Sequence, residues 1–181
     1  MLKSAIEADE HYKVGMPRPL EGIPFGIKDN IDTTDSPTTG GSPTLNGNTP
    51  KFDCSLWNRL KINGAISGGK LNMHEFAFGA VTNNPTYGSC YSAFDNERTA
   101  GGSSGGSAGV VATGTLPVAL GTDTVGSIRL PAASNGVIGY RPSVNRWHAD
   151  FGLHLSLIRD SVGPLAVSME DVSYLDEIVT E

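Results

Sequence analysis

The sequence has few of the side chains that usually form disulfides or hold metals. Its two cysteines, Cys54 and Cys90, are too few for a disulfide framework. Its four histidines show neither the HExxH pattern nor any other spacing typical of a zinc site. The composition therefore predicts a protein with no metal and no cofactor.

Clusters of basic residues and long apolar runs are also missing. The 181 residues contain 13 Lys and Arg against 19 Asp and Glu, a formal net charge of −6. Nucleic acid is not an expected partner, because surfaces that bind it are rich in Lys and Arg. No apolar run approaches the ~18 residues of a membrane span, and the amino terminus lacks a secretion-signal layout. These absences predict a cytoplasmic protein without a membrane partner, and its length fits one domain.

Glycine, by contrast, is abundant, with 23 of 181 residues. The densest run is GGSSGGSAG, residues 101–109. A flexible linker is disfavoured because the run continues into AGVVATG without a polar spacer. A phosphate-binding P-loop is disfavoured too, since the one Gly-Lys pair, Gly69–Lys70, is followed by Leu71 instead of Ser or Thr.

A hydrolase nucleophile elbow, GxSxG, is a further interpretation of this run. The pattern fits twice, centred on Ser104 and on Ser107. Asp123, with His148 or His154, follows in the order that an α/β-hydrolase needs, although little chain separates them. Overlapping matches arise easily in a Gly/Ser-rich run, so the elbow stays an alternative.

The hydrophobic pattern of the first third predicts alternating helices and strands. Residues 2–12 look like a helix, and the apolar stretch at 23–32 is typical of a buried strand. Residues 52–64 predict a second helix, with Asp53 at the cap position and Gly64 as the stop signal.

The remainder continues the alternation. AISGGK predicts a short strand, residues 72–79 one or two helical turns, and residues 80–100 a long surface loop. AGVVATG and LPVALGTDT read as a helix and a strand, and PAASNGVIGYRP as a turn and a strand. Ser168 and Asp171 form a possible capping box for a last helix, MEDVSYLDEIV. Strands that alternate with helices predict an α/β fold.

A second glycine-rich stretch, GTDTVGSIRLPA at 121–132, places Ser127 in a turn 24 positions after Ser103. Together with GGSSGGSAGVVA and GVIGYRPS, it resembles the amidase signature family, whose pattern is approximately GGSSGGSxxxVA, GTDTGGSIRxPA and GVxGxRPT. GIPFGIKDNID and GGKLNMHEFAFG are similar to further blocks of the same family. Five blocks in the family's order make a far stronger signal than any single one.

The resemblance implies a mixed β-sheet covered by helices on both faces. The similar motifs lie within residues 20–170. Because the family's domain is much longer than this chain, we expect residues 1–181 to be a partial amidase signature domain that lacks the family's C-terminal half.

The resemblance also implies a catalytic triad of Lys28, Ser103 and Ser127. Ser127 would be the nucleophile, and Ser103, after a cis peptide bond from Gly102, would bridge it to Lys28. For Lys28 to accept a proton near neutral pH, its pKa must fall from about 10.4 to about 7. The apolar IPFGIK segment indicates the burial that such a change requires.

Backbone N–H groups at Thr124, Val125 and Gly126, with that of Ser127, would form the family's oxyanion hole. Val125 stands where the family most often has Gly. A positive φ there would strain the loop, whereas an ordinary φ would let valine merely narrow the pocket. Asp123 and Arg129, which flank these residues, are expected to hold the loop in shape.

The resemblance points to a small-molecule amide as the substrate and partner. NMHEFAFGAVTNN and RDSVGPLA are most similar to the branch that hydrolyses aryl-acetamides such as indoleacetamide and mandelamide. LNMHEFAFG is also similar to the glutamine-hydrolysing subunit of the tRNA-dependent amidotransferase, which is the first alternative. A catalytically inactive fragment or interaction piece is the second. A partial sheet would expose an edge strand that can pair with a second copy of the chain, so a homo-oligomer is a further expected partner.

Overall fold

A computed structural model describes residues 1–148 and 150–180. The helices are α1 (Leu2–Lys13), α2 (Ser55–Ile62), α3 (Gly105–Ala112), α4 (Arg129–Ser134) and α5 (Met169–Thr180). The strands are β1 (Pro24–Lys28), β2 (Ile66–Leu71), β3 (Asn83–Asn84), β4 (Gly88–Ser89), β5 (Tyr91–Ser92), β6 (Asp95–Thr99), β7 (Val118–Asp123), β8 (Ile138–Gly139) and β9 (Ser161–Ala166). None of these helices has the length and apolar character needed to cross a bilayer.

The centre of the fold is a five-stranded mixed sheet. Its strands lie in the order β2-β1-β7-β9-β8. β2, β1 and β7 run parallel, whereas β9 is antiparallel to both β7 and β8. The predicted α/β class and the mixed sheet are therefore confirmed.

Successive side chains of a strand point to opposite faces of the sheet. Apolar side chains therefore lie on both faces of this sheet, and helices pack on each. In β7, Val118 and Leu120 belong to a core cluster that includes Trp57 of α2 and Leu175 of α5. Ala119, between them, belongs to a second cluster on the opposite face. That second cluster includes residues of α3 and α4, among them Ala108, Val111 and Ala132.

The predicted helix at 52–64 is observed as α2, but its cap is not Asp53. The N-cap is Cys54, whose Sγ accepts a hydrogen bond from the Trp57 N–H at 3.4 Å. Asp53 instead accepts from the Thr34 N–H at 2.7 Å and pairs with Lys61. The Thr34 N–H, which is distant in sequence, thus binds the Asp53 carboxylate that the local pattern predicts at the helix cap.

Two other local predictions hold. Gly64 follows the end of α2 with φ +101°, and a Cβ there would lie 2.7 Å from the Glu21 Cα, so only glycine fits. Ser168 and Asp171 form the predicted capping interaction, in which the Asp171 N–H donates to Ser168 Oγ at 3.1 Å.

The segment predicted as a surface loop, 80–100, is more ordered than expected. It forms two short antiparallel pairs, β3 with β4 and β5 with β6. The preceding stretch, 72–79, makes a single 3₁₀ turn at Glu75–Ala77, within which Phe76 has φ 50°. Three of these strands have only two residues, and all five residues of β6 are polar, so no alternation of apolar and polar residues marks them.

The glycine-rich run is a turn and a helix start, not a linker. Two of its glycines lie where another chain segment approaches closely. A Cβ at Gly102 would lie 2.5 Å from the Val81 carbonyl carbon, and one at Gly106 would lie 2.5 Å from the Asn72 backbone oxygen. The glycines thus let the start of α3 pack directly against two neighbouring segments.

This packing predicts opposite effects for two alanine substitutions in α3. Gly106→Ala should destabilise the protein by about 1–3 kcal/mol, because the new methyl group overlaps the Asn72 backbone. Gly109→Ala is the matched control, since among the described residues nothing lies within 4 Å of a Cβ there. It should raise the free energy of unfolding by about 0.5–1 kcal/mol through helix propensity. Urea unfolding measures both, and equal effects would contradict the packing.

Candidate active site

The candidate site lies where the parallel strands β1 and β7 end side by side. Ile27 of β1 pairs with Leu120 of β7, so the next residues at the carboxyl ends are neighbours. Lys28 is the last residue of β1, and Thr122 is the last but one of β7. α3 begins close to the end of β7, because the Ser104 hydroxyl donates to the Thr122 carbonyl at 3.3 Å.

Lys28 is fully buried and is surrounded by oxygen acceptors. Its Nζ donates to Ser103 Oγ at 2.7 Å and to Thr122 Oγ1 at 2.8 Å. The Thr122 hydroxyl also accepts from Asn30 Nδ2 at 3.1 Å. Two of the three residues of the proposed triad, Lys28 and Ser103, are therefore in direct contact.

Burial lowers the pKa of Lys28 to about 7. Removal from water disfavours the ammonium, while the negative charges of Asp123 and Asp160 partly oppose this effect. An ordinary lysine is almost entirely protonated at neutral pH. Lys28 can therefore exchange a proton near pH 7.

Ser103 follows a cis peptide bond from Gly102, as the resemblance implies. Its carbonyl accepts from the His74 N–H at 3.1 Å. The two serines that fit the elbow pattern serve other purposes. Ser107 lies inside α3, fully buried, and its hydroxyl donates to the Leu120 carbonyl at 2.9 Å. Ser104 is also buried, so neither serine is placed as an exposed nucleophile.

The loop that carries Ser127 is organised around the carboxylate of Asp123. This side chain accepts from the N–H groups of Gly126 and Ile128, at 2.8 and 3.1 Å. It also pairs with the guanidinium groups of Arg129 at 3.0 Å and Arg141 at 3.2 Å. Burial alone would raise the pKa of Asp123, but the hydrogen bonds from Arg129 and the backbone bring it below its usual range. The expected shaping role of Asp123 and Arg129 is thus confirmed.

The N–H groups of this loop divide into two sets. That of Gly126 is committed to Asp123, and Gly126 has φ 143°, which turns the chain. Those of Thr124, Val125 and Ser127 have no hydrogen-bond acceptor within the part of the chain that the structure describes. Val125 is not among the residues with positive φ, so valine causes no backbone strain here.

Ser127 and Val125 line a pocket of about 360 Å³. Its wall is built mainly from small and apolar residues, namely Ala77, Phe78, Gly79, Ala80, Thr124, Val125, Gly126, Ser127, Leu130 and Leu155. The Val125 side chain is 75% exposed, so it narrows the pocket mouth instead of filling a core position. The described lining contains no charged side chain.

One contact of the expected relay is not formed. Within residues 1–148 and 150–180, no hydrogen bond joins Ser127 Oγ to Ser103 Oγ. The backbone nevertheless brings the two serine segments together, because the Ser104 N–H donates to the Ser127 carbonyl at 3.2 Å. Catalytic hydrogen bonds often close only in the complex with substrate.

Sequence reasoning missed three residues near Lys28. Thr122 and Asn30 form its polar surroundings, and Asp160 contributes negative charge from outside the glycine-rich motifs. Thr122 and Asn30 lie within the motif segments GTDT and KDN, so the motifs could have identified them. Nothing in the sequence pattern identifies Asp160, because the pairing of β9 with β7 brings it near Lys28.

The amidase family model matches residues 1–181. Mandelamide hydrolase from Pseudomonas putida is 42% identical, with 99% of this chain and 36% of that protein aligned. A glutamyl-tRNA(Gln) amidotransferase subunit from Geobacillus thermodenitrificans is 46% identical, over 89% of this chain and 33% of its own length. The chain therefore spans about a third of the length of these curated relatives.

Solved structures give the same result. A crystal structure of an amidase superposes with a TM-score of 0.91 at 41% identity, covering 98% of this chain and 41% of the other. An inhibitor-bound vestigial protein complex, described as revealing the origins of an s-triazine catabolic enzyme, gives a TM-score of 0.95 at 36% identity, over 99% of this chain and 40% of the other. The motifs, the fold and these matches agree that the chain belongs to the amidase signature family.

Proposed function

We propose that this protein is an amidase that hydrolyses the C–N bond of a small amide, giving a carboxylate and ammonia. One observation carries the proposal: the buried Lys28 Nζ lies 2.7 Å from Ser103 Oγ, beside the loop that bears Ser127. A lysine with a pKa of about 7 can serve as a base at neutral pH.

In the proposed reaction, Lys28 takes a proton from Ser103 while Ser103 takes one from Ser127. The Ser127 oxygen then forms a bond to the amide carbonyl carbon. The same relay in reverse returns a proton to the departing nitrogen, so the C–N bond breaks and an acyl-enzyme remains. Water, deprotonated by the same relay, hydrolyses that ester and releases the carboxylate.

The negative charge on the carbonyl oxygen needs preorganised donors. We assign this role to the N–H groups of Thr124, Val125 and Ser127, for which the described residues offer no acceptor. Gly126, whose N–H is held by Asp123, contributes the backbone turn that keeps these groups close together. One such donor typically lowers the barrier by about 2.7–4 kcal/mol.

The pocket favours an amide with an uncharged, apolar acyl group. Phe78, Val125, Leu130 and Leu155 offer apolar surface, and a charged group would lose its hydration there without gaining a partner. This favours an aryl-acetamide, the substrate class suggested by the motif resemblance and by the name of the Pseudomonas relative.

A glutaminase-type amidotransferase subunit is the second candidate. It is supported by several relatives named as subunits of the glutamyl-tRNA(Gln) amidotransferase, which are 40–46% identical. Such a subunit works in a complex with other chains. An amidase of the first kind acts on its small-molecule substrate alone or as a homo-oligomer.

The nucleophile assignment predicts a single covalent adduct. A fluorophosphonate should add once to the wild-type protein, and Ser127→Ala should lose this adduct because the attacking oxygen is gone. Ser107→Ala is the control, since Ser107 fits the elbow motif but is buried within α3. Intact-mass spectrometry measures both. Labelling that survives in Ser127→Ala would refute the assignment, and a folded protein that never labels would favour the inactive-fragment alternative.

The base assignment predicts how the labelling rate depends on pH. The rate should rise as pH increases through about 7, because Lys28 must lose its proton before it can accept one. Lys28→Met should slow labelling by roughly 10²–10⁴-fold and abolish this rise. A wild-type rate that is the same at pH 5 and pH 9, or is unaffected by Lys28→Met, would contradict the relay.

The two substrate classes are separated by a direct comparison of ammonia release. The apolar pocket predicts faster turnover of phenylacetamide than of glutamine, because the glutamine ammonium and carboxylate have no charged partner in the described lining. Ser127→Ala provides the background rate. Faster release from glutamine would favour the amidotransferase-type assignment.

A further inference from the structure

Asp160 is a nearly buried carboxylate beside the loop that carries Ser127. In the antiparallel pair of β7 and β9, Asp123 lies opposite Ser161. The residues just beyond these two, Thr124 and Asp160, therefore face each other at the end of the pair. The Thr124 hydroxyl donates to Asp160 Oδ1, and Asp160 is 9% exposed.

The other carboxylate oxygen holds a different wall of the same pocket. Asp160 Oδ2 accepts from the N–H groups of Leu155 and Ser156, at 2.8 and 2.9 Å. Leu155 lines the pocket together with Thr124 and Ser127. One side chain thus connects the loop that carries Ser127 with the turn that presents Leu155.

The charge of Asp160 acts on the base as well. Lys28 is influenced by two carboxylates, Asp123 and Asp160, and both favour its protonated form. Asp160 itself is faced by the ring of His154, whose Nδ1 lies 3.4 Å from Oδ2. Asp123 is paired with two arginines, whereas the hydrogen bonds to Asp160 come from a hydroxyl and two backbone N–H groups.

We propose that Asp160 is a positioning residue for the amidase reaction: it orients Thr124 in the oxyanion loop and Leu155 in the acyl pocket. The proposal rests on the function assigned above. By fixing the Thr124 side chain, the carboxylate restrains the peptide groups on either side, which include an N–H that we assign to the oxyanion. By closing the turn at Leu155 and Ser156, it fixes the distance between the pocket's two walls.

The hydrogen bond and the charge can be separated by substitution. Thr124→Val removes the hydroxyl but keeps the carboxylate and its charge. Asp160→Asn keeps a polar group next to both neighbours but removes the charge. Asp160→Ala removes both, and Glu170→Gln is a control for the loss of a carboxylate at an exposed position remote from the pocket.

The test is the rate at which a fluorophosphonate labels Ser127, measured for each variant as a function of pH. Thr124→Val should slow labelling about tenfold at every pH without moving the midpoint of the profile. Asp160→Asn should move the midpoint to lower pH, because a negative charge that favours protonated Lys28 is gone. Asp160→Ala should show both effects, and Glu170→Gln neither.

The proposal is overturned if Asp160→Ala labels with the wild-type rate and profile. If Asp160→Asn and Asp160→Ala lower the rate while the midpoint stays fixed, the orienting role is supported and the effect of the Asp160 charge on Lys28 is refuted. If Asp160→Ala does not fold, Thr124→Val still tests the hydrogen bond, and an unchanged rate refutes it.

Failure of the proposed function gives a different result, namely no labelling of the wild-type protein. In that case, amide hydrogen exchange in the same variants tests the connection itself. Faster exchange in Asp160→Ala at both 124–130 and 154–160, but not in Glu170→Gln, supports the two-wall connection. Exchange equal to that of the wild type overturns it.

Discussion

The structure of the site depends on one constraint: the amine of Lys28 is held, fully buried, at the carboxyl end of the central strand β1. Lys28 has no access to water, so its polar contacts must come from the protein. They come from Ser103 and from Thr122, which in turn is held by Asn30. Every segment that supplies one of these atoms must therefore end at the same edge of the sheet.

The glycine-rich run satisfies this constraint by its lack of side chains. The segment that brings Ser103 to Lys28 also lies close to the backbones of Val81 and Asn72. At Gly102 and Gly106 that approach leaves no room for a Cβ. The run is thus rich in glycine for packing reasons, and the serine hydroxyls within it take separate roles, facing Lys28, the Thr122 carbonyl or the Leu120 carbonyl.

The second glycine-rich stretch meets a different requirement: side chains hold its loop, while the N–H groups of Thr124, Val125 and Ser127 meet no acceptor among residues 1–148 and 150–180. Asp123 binds the Gly126 N–H and the Arg129 guanidinium and so holds the loop from one side. Asp160 holds the loop from the other side through Thr124. Because these two carboxylates hold the loop, its backbone conformation alone sets the directions of the Thr124, Val125 and Ser127 N–H groups.

Local and motif-borne features could be predicted from the sequence, whereas contacts created by distant pairing could not. The α2 helix, its Gly64 stop and the α5 capping residues follow from neighbouring residues. β9 was not predicted, and it contains Gly163 and Pro164, two residues that are uncommon in central strands. Asp160 depends on that strand, and Asp53 was drawn away from its cap by Thr34. For Asp160 and Asp53 the deciding partner is remote in sequence, where pattern carries no information.

The central claim, that Lys28 is a neutral base at physiological pH, can be measured directly by NMR titration of isotope-labelled lysine side chains. Lys28→Met assigns the resonance. The account predicts that the Lys28 amine titrates with a midpoint of about 7, well below the ~10.4 of an ordinary lysine. A Lys28 resonance with a midpoint near the ordinary lysine value would contradict the burial and the relay built on it.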